Sequence, residues 1–378
     1  MTDHRISVEV DDDGNVQAHR LSNYVHSPKN QVAPTGLDVD LIRLFERWLV
    51  LRDRQWRDDE IRTFGSLLHH YLFGRAVGSW IESAVDTLTG GDRIRLELSF
   101  PAKPPYSRLA AIPWEYLYQP AQEGRNGYFL ASDPRIVLSR YIPLSTGEAS
   151  FRPVKDLRML IVISQPEDRR LGPVMYDDVL AAITKWTEQN QVTVSVLHNP
   201  TASRLQEAIA PPGGSAPHLV HFMGHGEYDP DRGEARLALV ARDGGVDWIP
   251  DQRLADIFSR ARIPPRVVVL HSCEGGRADF SVSFAGLAPQ LARSGVQFLV
   301  AMQYAVTNET AIAFSTSLYR HLTADKDIDT SVQESRWEIS GLSDNRDPRL
   351  LGIPVLYTQS QGGLFKSGRS EDEDGEPR

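Results

Sequence analysis

The chain has 378 residues, 41% of them apolar and 24% charged, with a net charge of -9 and a single cysteine. This length is enough to bury one large or two ordinary hydrophobic cores, and the composition is that of a soluble globular protein. One cysteine excludes an internal disulfide framework and a cysteine-rich zinc site. The negative charge argues against a nucleic-acid partner.

No apolar run approaches the roughly 18 residues of a membrane span, and the chain starts with polar residues instead of the apolar core of a signal peptide. We therefore expect a cytoplasmic protein without a membrane partner.

The first 150 residues combine helical and strand patterns, and they show no group of residues typical of a catalytic or metal site. Apolar residues recur near a 3.6-residue period over 37–57 and 59–88, which predicts two helices, and strand-like stretches follow at 94–100, 128–130 and 135–142. We expect residues 1–95 to form a mostly helical N-terminal region of unknown role. Residues 96–150 are predicted to be the strand-rich leading part of the region that follows.

From residue 157 the chain alternates between strand and helix patterns, which is typical of βαβ units and a mostly parallel sheet. Thr201 or Ser203 is a candidate N-cap, as is Thr307, and residues 242–245 predict the turn of a hairpin. A last strand over Ile353–Tyr357 is predicted at a sheet edge because it contains a proline. The predicted strands span 157–163, 192–197, 218–224, 266–272 and 296–302.

We assign residues 151–365 to an α/β core. Residues 366–378 are assigned to a disordered acidic tail, because the end of the chain lacks apolar residues.

Two of the apolar strands end in residues that can carry chemistry. His225 follows one strand, Cys273 follows the other, and glycines lie just beyond each. Ligands of open α/β sheets bind in the crevice beyond the carboxyl ends of the strands. The sequence therefore predicts a cysteine and a histidine at a candidate site.

A cysteine peptidase needs a thiolate, a base for its proton and donors for the oxyanion of the tetrahedral intermediate. Cys273 is the candidate nucleophile and His225 the candidate base. The N–H groups of Gly226 and Cys273 are candidates for the oxyanion hole, because glycine lets the backbone approach a substrate carbonyl.

Other interpretations of these residues are open. A lone cysteine at a strand end is often an inert buried thiol. His221 and His225 are four residues apart, but they lie on a strand and no third zinc ligand is evident. The glycines around His225 resemble the start of a dinucleotide fingerprint, yet Asp229 replaces its third glycine. We expect neither a metal nor another cofactor.

A family resemblance rests on two segments, His221–Gly226 and Leu270–Gly276. Together they resemble the CHAT family of caspase-like cysteine peptidases, relatives of separase and clostripain. His225 lies 48 residues before Cys273, close to the spacing of about 50 in caspases. Further segments that resemble the family are 112–118, 286–296, 303–308 and 353–357. The resemblance covers residues 95–365.

The resemblance implies a caspase-like three-layer α/β/α sandwich with a mostly parallel central sheet. It also implies a metal-free dyad of Cys273 and His225. The substrate pocket of this fold is bounded by loops after the first core strand, the cysteine and the strand that ends at Met302. Its candidate residues here are Asp177, Asp178, Asp279 and Gln303. A basic or uncharged residue before the cleaved bond is expected, as in these relatives.

The resulting hypothesis is limited proteolysis of one or a few protein targets in bacterial defence or programmed cell death. The expected partners are a protein substrate, such as a pore-forming or other effector, and an activating protein. The alternative is a catalytically inactive caspase-like scaffold. Its support is His271, which stands where the family usually has a small residue, two positions before the cysteine.

Overall fold

The computed structural model describes residues 3–22, 24–49, 51, 56–122, 124–143, 157–190, 192–213, 215–229, 234–272, 280–304, 306–324, 326–341 and 349–359.

The strands in chain order are β1 (Asp3–Val10), β2 (Asn15–Arg20), β3 (Val25–His26), β4 (Asn30–Gln31), β5 (Arg93–Ser99), β6 (Tyr118–Gln119), β7 (Tyr128–Phe129), β8 (Ile136–Tyr141), β9 (Arg158–Ile163), β10 (Thr193–His198), β11 (Leu219–Gly224), β12 (Gly226–Asp229), β13 (Glu234–Val240), β14 (Val246–Pro250), β15 (Val267–Ser272), β16 (Phe298–Met302) and β17 (Pro354–Thr358).

The helices are α1 (Leu37–Leu49), α2 (Asp58–Asp86), α3 (Asp177–Gln189), α4 (Ala202–Ile209), α5 (Asp251–Ser259), α6 (Phe280–Arg293), α7 (Asn308–Thr323) and α8 (Ile328–Ile339). Thr201 and Thr307 accept hydrogen bonds from the backbones of the helices that follow them, which confirms both as N-caps. Within the described ranges, no helix has both the length and the apolarity needed to cross a bilayer.

One large sheet contains most of the described strands. Its order is β10-β9-β11-β15-β16-β17-β8-β5-β1-β2-β3, with β4 also beside β2. The pairs from β10 to β16 and from β17 to β1 are parallel, whereas β16 and β17 are antiparallel. This topology confirms the predicted α/β class with a mostly parallel sheet.

Alternate residues of the central strands face two different cores, which produces three layers. Ile161 and Val269 belong to the core that includes α3 and α7, whereas Val162 and Leu270 belong to the core that includes α4, α5 and α6. Both faces of these strands are therefore buried, which is why the sequence shows continuous apolar runs here instead of alternation.

The predicted edge position of the last strand is wrong. Strand β17 lies inside the sheet, between β16 and β8. It tolerates Pro354 because this is its first residue, where a missing N–H costs least. The pairing with β8 involves only Tyr357 and Thr358, at the other end of the strand.

The N-terminal region joins the same sheet. Strand β1 lies parallel to β5, and β5 lies parallel to β8, so strands accompany α1 and α2 in this part of the chain. The domain boundaries at residues 95, 150 and 365 stay predictions. The acidic tail 366–378 lies outside the described residues.

Helix α2 is kinked at Gly74, where φ is 53° and ψ is -158°. The amide of Asn30 donates to the carbonyls of Tyr71 and Leu72, at 3.1 and 3.0 Å, beside the kink. A Cβ on Gly74 would lie 2.7 Å from Oδ1 of Asn30. The kink thus depends both on a backbone conformation that favours glycine and on close contact with Asn30.

We expect Gly74→Ala to lower the free energy of unfolding by about 3 kcal/mol, because it combines backbone strain with a steric clash. Gly90→Ala is the control, since Gly90 also has a positive φ (57°) but a Cβ added there would meet no atom within 4 Å. It should cost only about 1 kcal/mol. Equal shifts of the urea midpoint in both variants would contradict the role of Asn30.

Candidate active site

The candidate site lies at one edge of the sheet. Strands β9, β11, β15 and β16 are parallel neighbours, so their carboxyl ends meet at the same edge. Ser164, His225 and Gln303 each follow directly after one of these strands. This edge is where an α/β sheet typically binds its ligand.

The His225 imidazole is fixed in one tautomer. Its side chain is 1% exposed, and its Nε2 lies 2.8 Å from the carbonyl oxygen of Gly172. Because a carbonyl only accepts, Nε2 must carry the hydrogen, and the neutral ring keeps a lone pair on Nδ1. Nδ1 is buried and has no hydrogen-bond partner among the described residues. The ring therefore presents a proton acceptor that no described group uses.

Burial lowers the pKa of His225 below its usual range, and the hydrogen bond to Gly172 opposes this shift without cancelling it. The imidazole is therefore neutral near pH 7. A neutral imidazole with a free lone pair has the form that a general base requires.

The backbone around His225 is held by neighbouring strands. The N–H of Ala238 donates to the His225 carbonyl at 2.9 Å, and the Ser164 hydroxyl donates to the Ala238 carbonyl at 2.7 Å. A Cβ on Gly224 would lie 2.8 Å from the Phe222 ring and 3.1 Å from the Ser164 carbonyl oxygen. Glycine at this position is therefore required by close packing.

Gly226 has an N–H that is directed away from its partner strand. It pairs with Leu237 in the antiparallel ladder of β12 and β13, next to the position where Ala238 bonds to His225. Hydrogen-bonded and non-hydrogen-bonded positions alternate in such a ladder. Gly226 occupies a non-hydrogen-bonded position, so its N–H makes no hydrogen bond to β13.

The predicted nucleophile Cys273 and the pocket candidate Asp279 lie outside the described residues. Strand β15 is described as far as Ser272, whose register partner on β11 is Gly224. In sequence, therefore, His225 and Cys273 each follow directly after a member of this pair.

His221 and His271 lie side by side in the core below this edge. Both are fully buried, their ring centroids are 5.8 Å apart, and Nδ1 of His221 lies 2.6 Å from the hydroxyl oxygen of Tyr319. Neither nitrogen of His271 has a hydrogen-bond partner among the described residues. Burial lowers the pKa of both side chains, that of His271 to about 4.

The remaining pocket candidates form hydrogen bonds to residues other than His225 or are exposed. Asp177 and Asp178 are exposed in the first turn of α3, and Asp178 accepts a hydrogen bond of 3.0 Å from Asn308 at the start of α7. Gln303 is 1% exposed, and its amide bonds to Glu115, Arg140 and Gly352. Their roles in substrate binding stay predictions.

Sequence reasoning missed Gly172, the partner of His225. It lies in the loop between β9 and α3 and contributes a backbone carbonyl, a group that every residue type has. No side-chain pattern identifies such a partner. The hydrogen bond between His225 and Gly172 depends on how this loop folds over the end of β11, which the sequence does not reveal.

No group of three or more histidine, cysteine or acidic side chains is arranged to hold a metal ion in the described part of the chain.

The architecture is that of an α/β protein with a histidine at the carboxyl edge of a parallel sheet. The model of the CHAT domain matches residues 103–350. The chain therefore belongs to the CHAT domain family, as the sequence motifs predicted. A search of curated proteins finds no match.

Similar solved structures include Saccharomyces cerevisiae separase, in separase–securin complexes at 2.6 and 3.0 Å, and the Arg-specific cysteine proteinase gingipain R. The 2.6 Å separase is 11% identical over 94% of this chain and 30% of its own, with a TM-score of 0.43. The 3.0 Å separase is 14% identical over 87% of this chain and 19% of its own, with a TM-score of 0.39. Gingipain R is 10% identical over 81% of this chain and 74% of its own, with a TM-score of 0.47. This chain thus spans less than a third of either separase chain.

The buried His271 predicts a pH-dependent stability. Its pKa of about 4 in the folded protein lies below the roughly 6.5 of an unfolded chain, so the unfolded state binds more protons as the pH falls. The contribution of His271 to the free energy of unfolding is therefore fully present above pH 6.5 and is lost as the pH falls towards 4. We expect His271→Phe to reduce the loss of unfolding free energy between pH 7 and pH 5 by about 2 kcal/mol.

Urea titrations at both pH values measure this difference. His198→Phe is the control, because His198 is exposed at the edge strand β10. A fall in stability of the same size in wild type and His271→Phe would contradict the prediction.

Proposed function

We propose that this chain is a cysteine endopeptidase in which Cys273 is the nucleophile and His225 is the base. One observation carries the proposal: the Gly172 carbonyl holds Nε2 of His225, which leaves a buried Nδ1 lone pair without a described partner. This acceptor lies at the edge of the sheet where β15 ends. The last residue of β15, Ser272, directly precedes Cys273 in the sequence. Membership of the CHAT domain family supports a peptidase-type function.

In the proposed reaction, the Cys273 thiol gives its proton to Nδ1 of His225, and Sγ attacks the carbonyl carbon of the substrate peptide bond. The N–H groups of Gly226 and Cys273 stabilise the resulting oxyanion. The carbon–nitrogen bond then breaks, and Nδ1 returns the proton to the leaving amine. Water, deprotonated by His225, hydrolyses the thioester and releases the acid product and the thiol.

The proposed activity is limited proteolysis of one or a few proteins in the cytoplasm. The family resemblance supports a setting in bacterial defence or programmed cell death, a pore-forming or other effector as substrate, and an activating partner. The family resemblance supports a basic or uncharged residue before the cleaved bond. Cleavage only after Asp in a peptide library would refute this preference.

The decisive test is to incubate the protein with the products of neighbouring genes and to map new peptide termini by mass spectrometry. We expect wild type to cut one or a few sites and Cys273→Ala to cut none. Undiminished cleavage by Cys273→Ala would refute the proposal. If nothing is cut and Cys273 reacts no faster with a thiol reagent than it does in denatured protein, the scaffold alternative replaces it.

The dyad also predicts the reactivity of the thiol. Since Cys273 is the only cysteine, iodoacetamide labelling of the intact protein reports this residue alone. We expect His225→Gln to slow labelling at pH 7 by about a hundredfold, because it removes the general base. His198→Gln, at an exposed histidine, should leave the rate unchanged. Equal rates in His225→Gln and wild type would contradict the role of His225.

A further inference from the structure

Two segments that resemble the family but have no part in the dyad meet in the core. Residues 112–118 contain Glu115, residues 303–308 begin with Gln303, and Nε2 of Gln303 donates to Oε2 of Glu115 at 2.8 Å. Both side chains are buried, with exposures of 0% and 1%. A contact between residues so far apart in sequence joins the N-terminal half of the sheet to the end of β16.

Arg140 on β8 completes this buried cluster. Its guanidinium donates to both carboxylate oxygens of Glu115, at 2.5 and 3.0 Å, and to Oε1 of Gln303 at 3.2 Å. It also donates to the carbonyl of Ala110 at 2.6 Å. The charge of Glu115 is thereby compensated by the guanidinium, as a buried carboxylate requires.

The hydrogen bonds of Gln303 leave its side chain no free donor. Nε2 donates to Glu115 and to the Gly352 carbonyl, each at 2.8 Å, while Oε1 accepts from Arg140. Its backbone N–H donates to the carbonyl of Ile353 at 2.9 Å. The side chain therefore faces the core, and its effect on a substrate has to be indirect.

The segment that Gln303 holds borders the candidate active site. Ala301 on β16 pairs with Leu270 on β15, and both strands run in the same direction. Gln303 thus lies two residues beyond Ala301, at the level of Ser272, which precedes Cys273. The next residue, Tyr304, is also buried, with its ring centroid 6.5 Å from that of Tyr116.

We infer that Gln303 is a positioning residue of the peptidase site: with Glu115 and Arg140 it fixes the end of β16 beside the strand that leads to Cys273. This inference rests on the proposed function and deepens it. It assigns Gln303 a role other than substrate contact. It also gives the buried Glu115–Arg140 pair a function: the pair connects the N-terminal half of the sheet to the end of β16, which borders the candidate site.

The test compares Gln303→Met with Gln333→Met. Methionine keeps the length of glutamine, removes its hydrogen bonds and leaves the Glu115–Arg140 pair intact. Gln333 on α8 is a matched control because it is 3% exposed, donates to the Ala131 carbonyl at 2.7 Å and accepts from a buried arginine, Arg336. We expect similar decreases in the melting temperature of both variants.

Two further measurements separate positioning from general stability. Hydrogen exchange of a peptide that contains Gln303 and Tyr304 should speed up about tenfold in Gln303→Met, the effect of losing a buried hydrogen bond, and stay unchanged in Gln333→Met. The rate of Cys273 labelling by iodoacetamide should fall about tenfold in Gln303→Met alone. Unchanged exchange in Gln303→Met, or equal effects in both variants, would overturn the inference.

The exchange measurement does not depend on Cys273. If wild type cuts nothing and its Cys273 reacts no faster than in denatured protein, the proposed peptidase function fails and the catalytic part of the inference fails with it. Faster exchange in Gln303→Met alone then still identifies Gln303 as the residue that fixes the end of β16.

Discussion

The parallel register between β11 and β15 is the constraint on which the candidate site depends. It places Gly224 level with Ser272, the residues that directly precede His225 and Cys273 in the sequence. A slip by one residue would turn each apolar side chain to the wrong face, and a slip by two would move His225 by about 6.6 Å along the strand. The two cores packed against opposite faces oppose the one-residue slip, because Val268 and Val269 belong to different cores.

Polar groups accumulate where this apolar framework ends. Ser164, His225 and His271 are buried at or just beyond the carboxyl ends of strands, whereas most strand residues before them are apolar. Such groups reduce stability unless they are paired, and several nitrogens here have no partner among the described residues. Because such groups cluster at functional sites, their presence at one edge supports this edge as the candidate site.

Much of the core was predictable from sequence, because runs such as Val267–Ser272 have the length and composition of strands buried on both faces. The position of the candidate base His225 directly after a strand was predictable for the same reason. The position of β17 was not, because a proline at the first residue of an inner strand looks the same in sequence as one at an edge. The contacts of Gly172 and Glu115 were not predictable either, because they depend on loops that meet only in the folded chain.

The bond between Nε2 of His225 and Gly172 also constrains the geometry of the proposed chemistry. Nε2 donates to the same carbonyl whether the ring is neutral or protonated, so the imidazole does not need to rotate between accepting and releasing a proton. Both transfers then use Nδ1 and one side of the ring. The departing amine and, later, the attacking water must approach from that side in turn, so the first product has to leave before the second half of the cycle can begin.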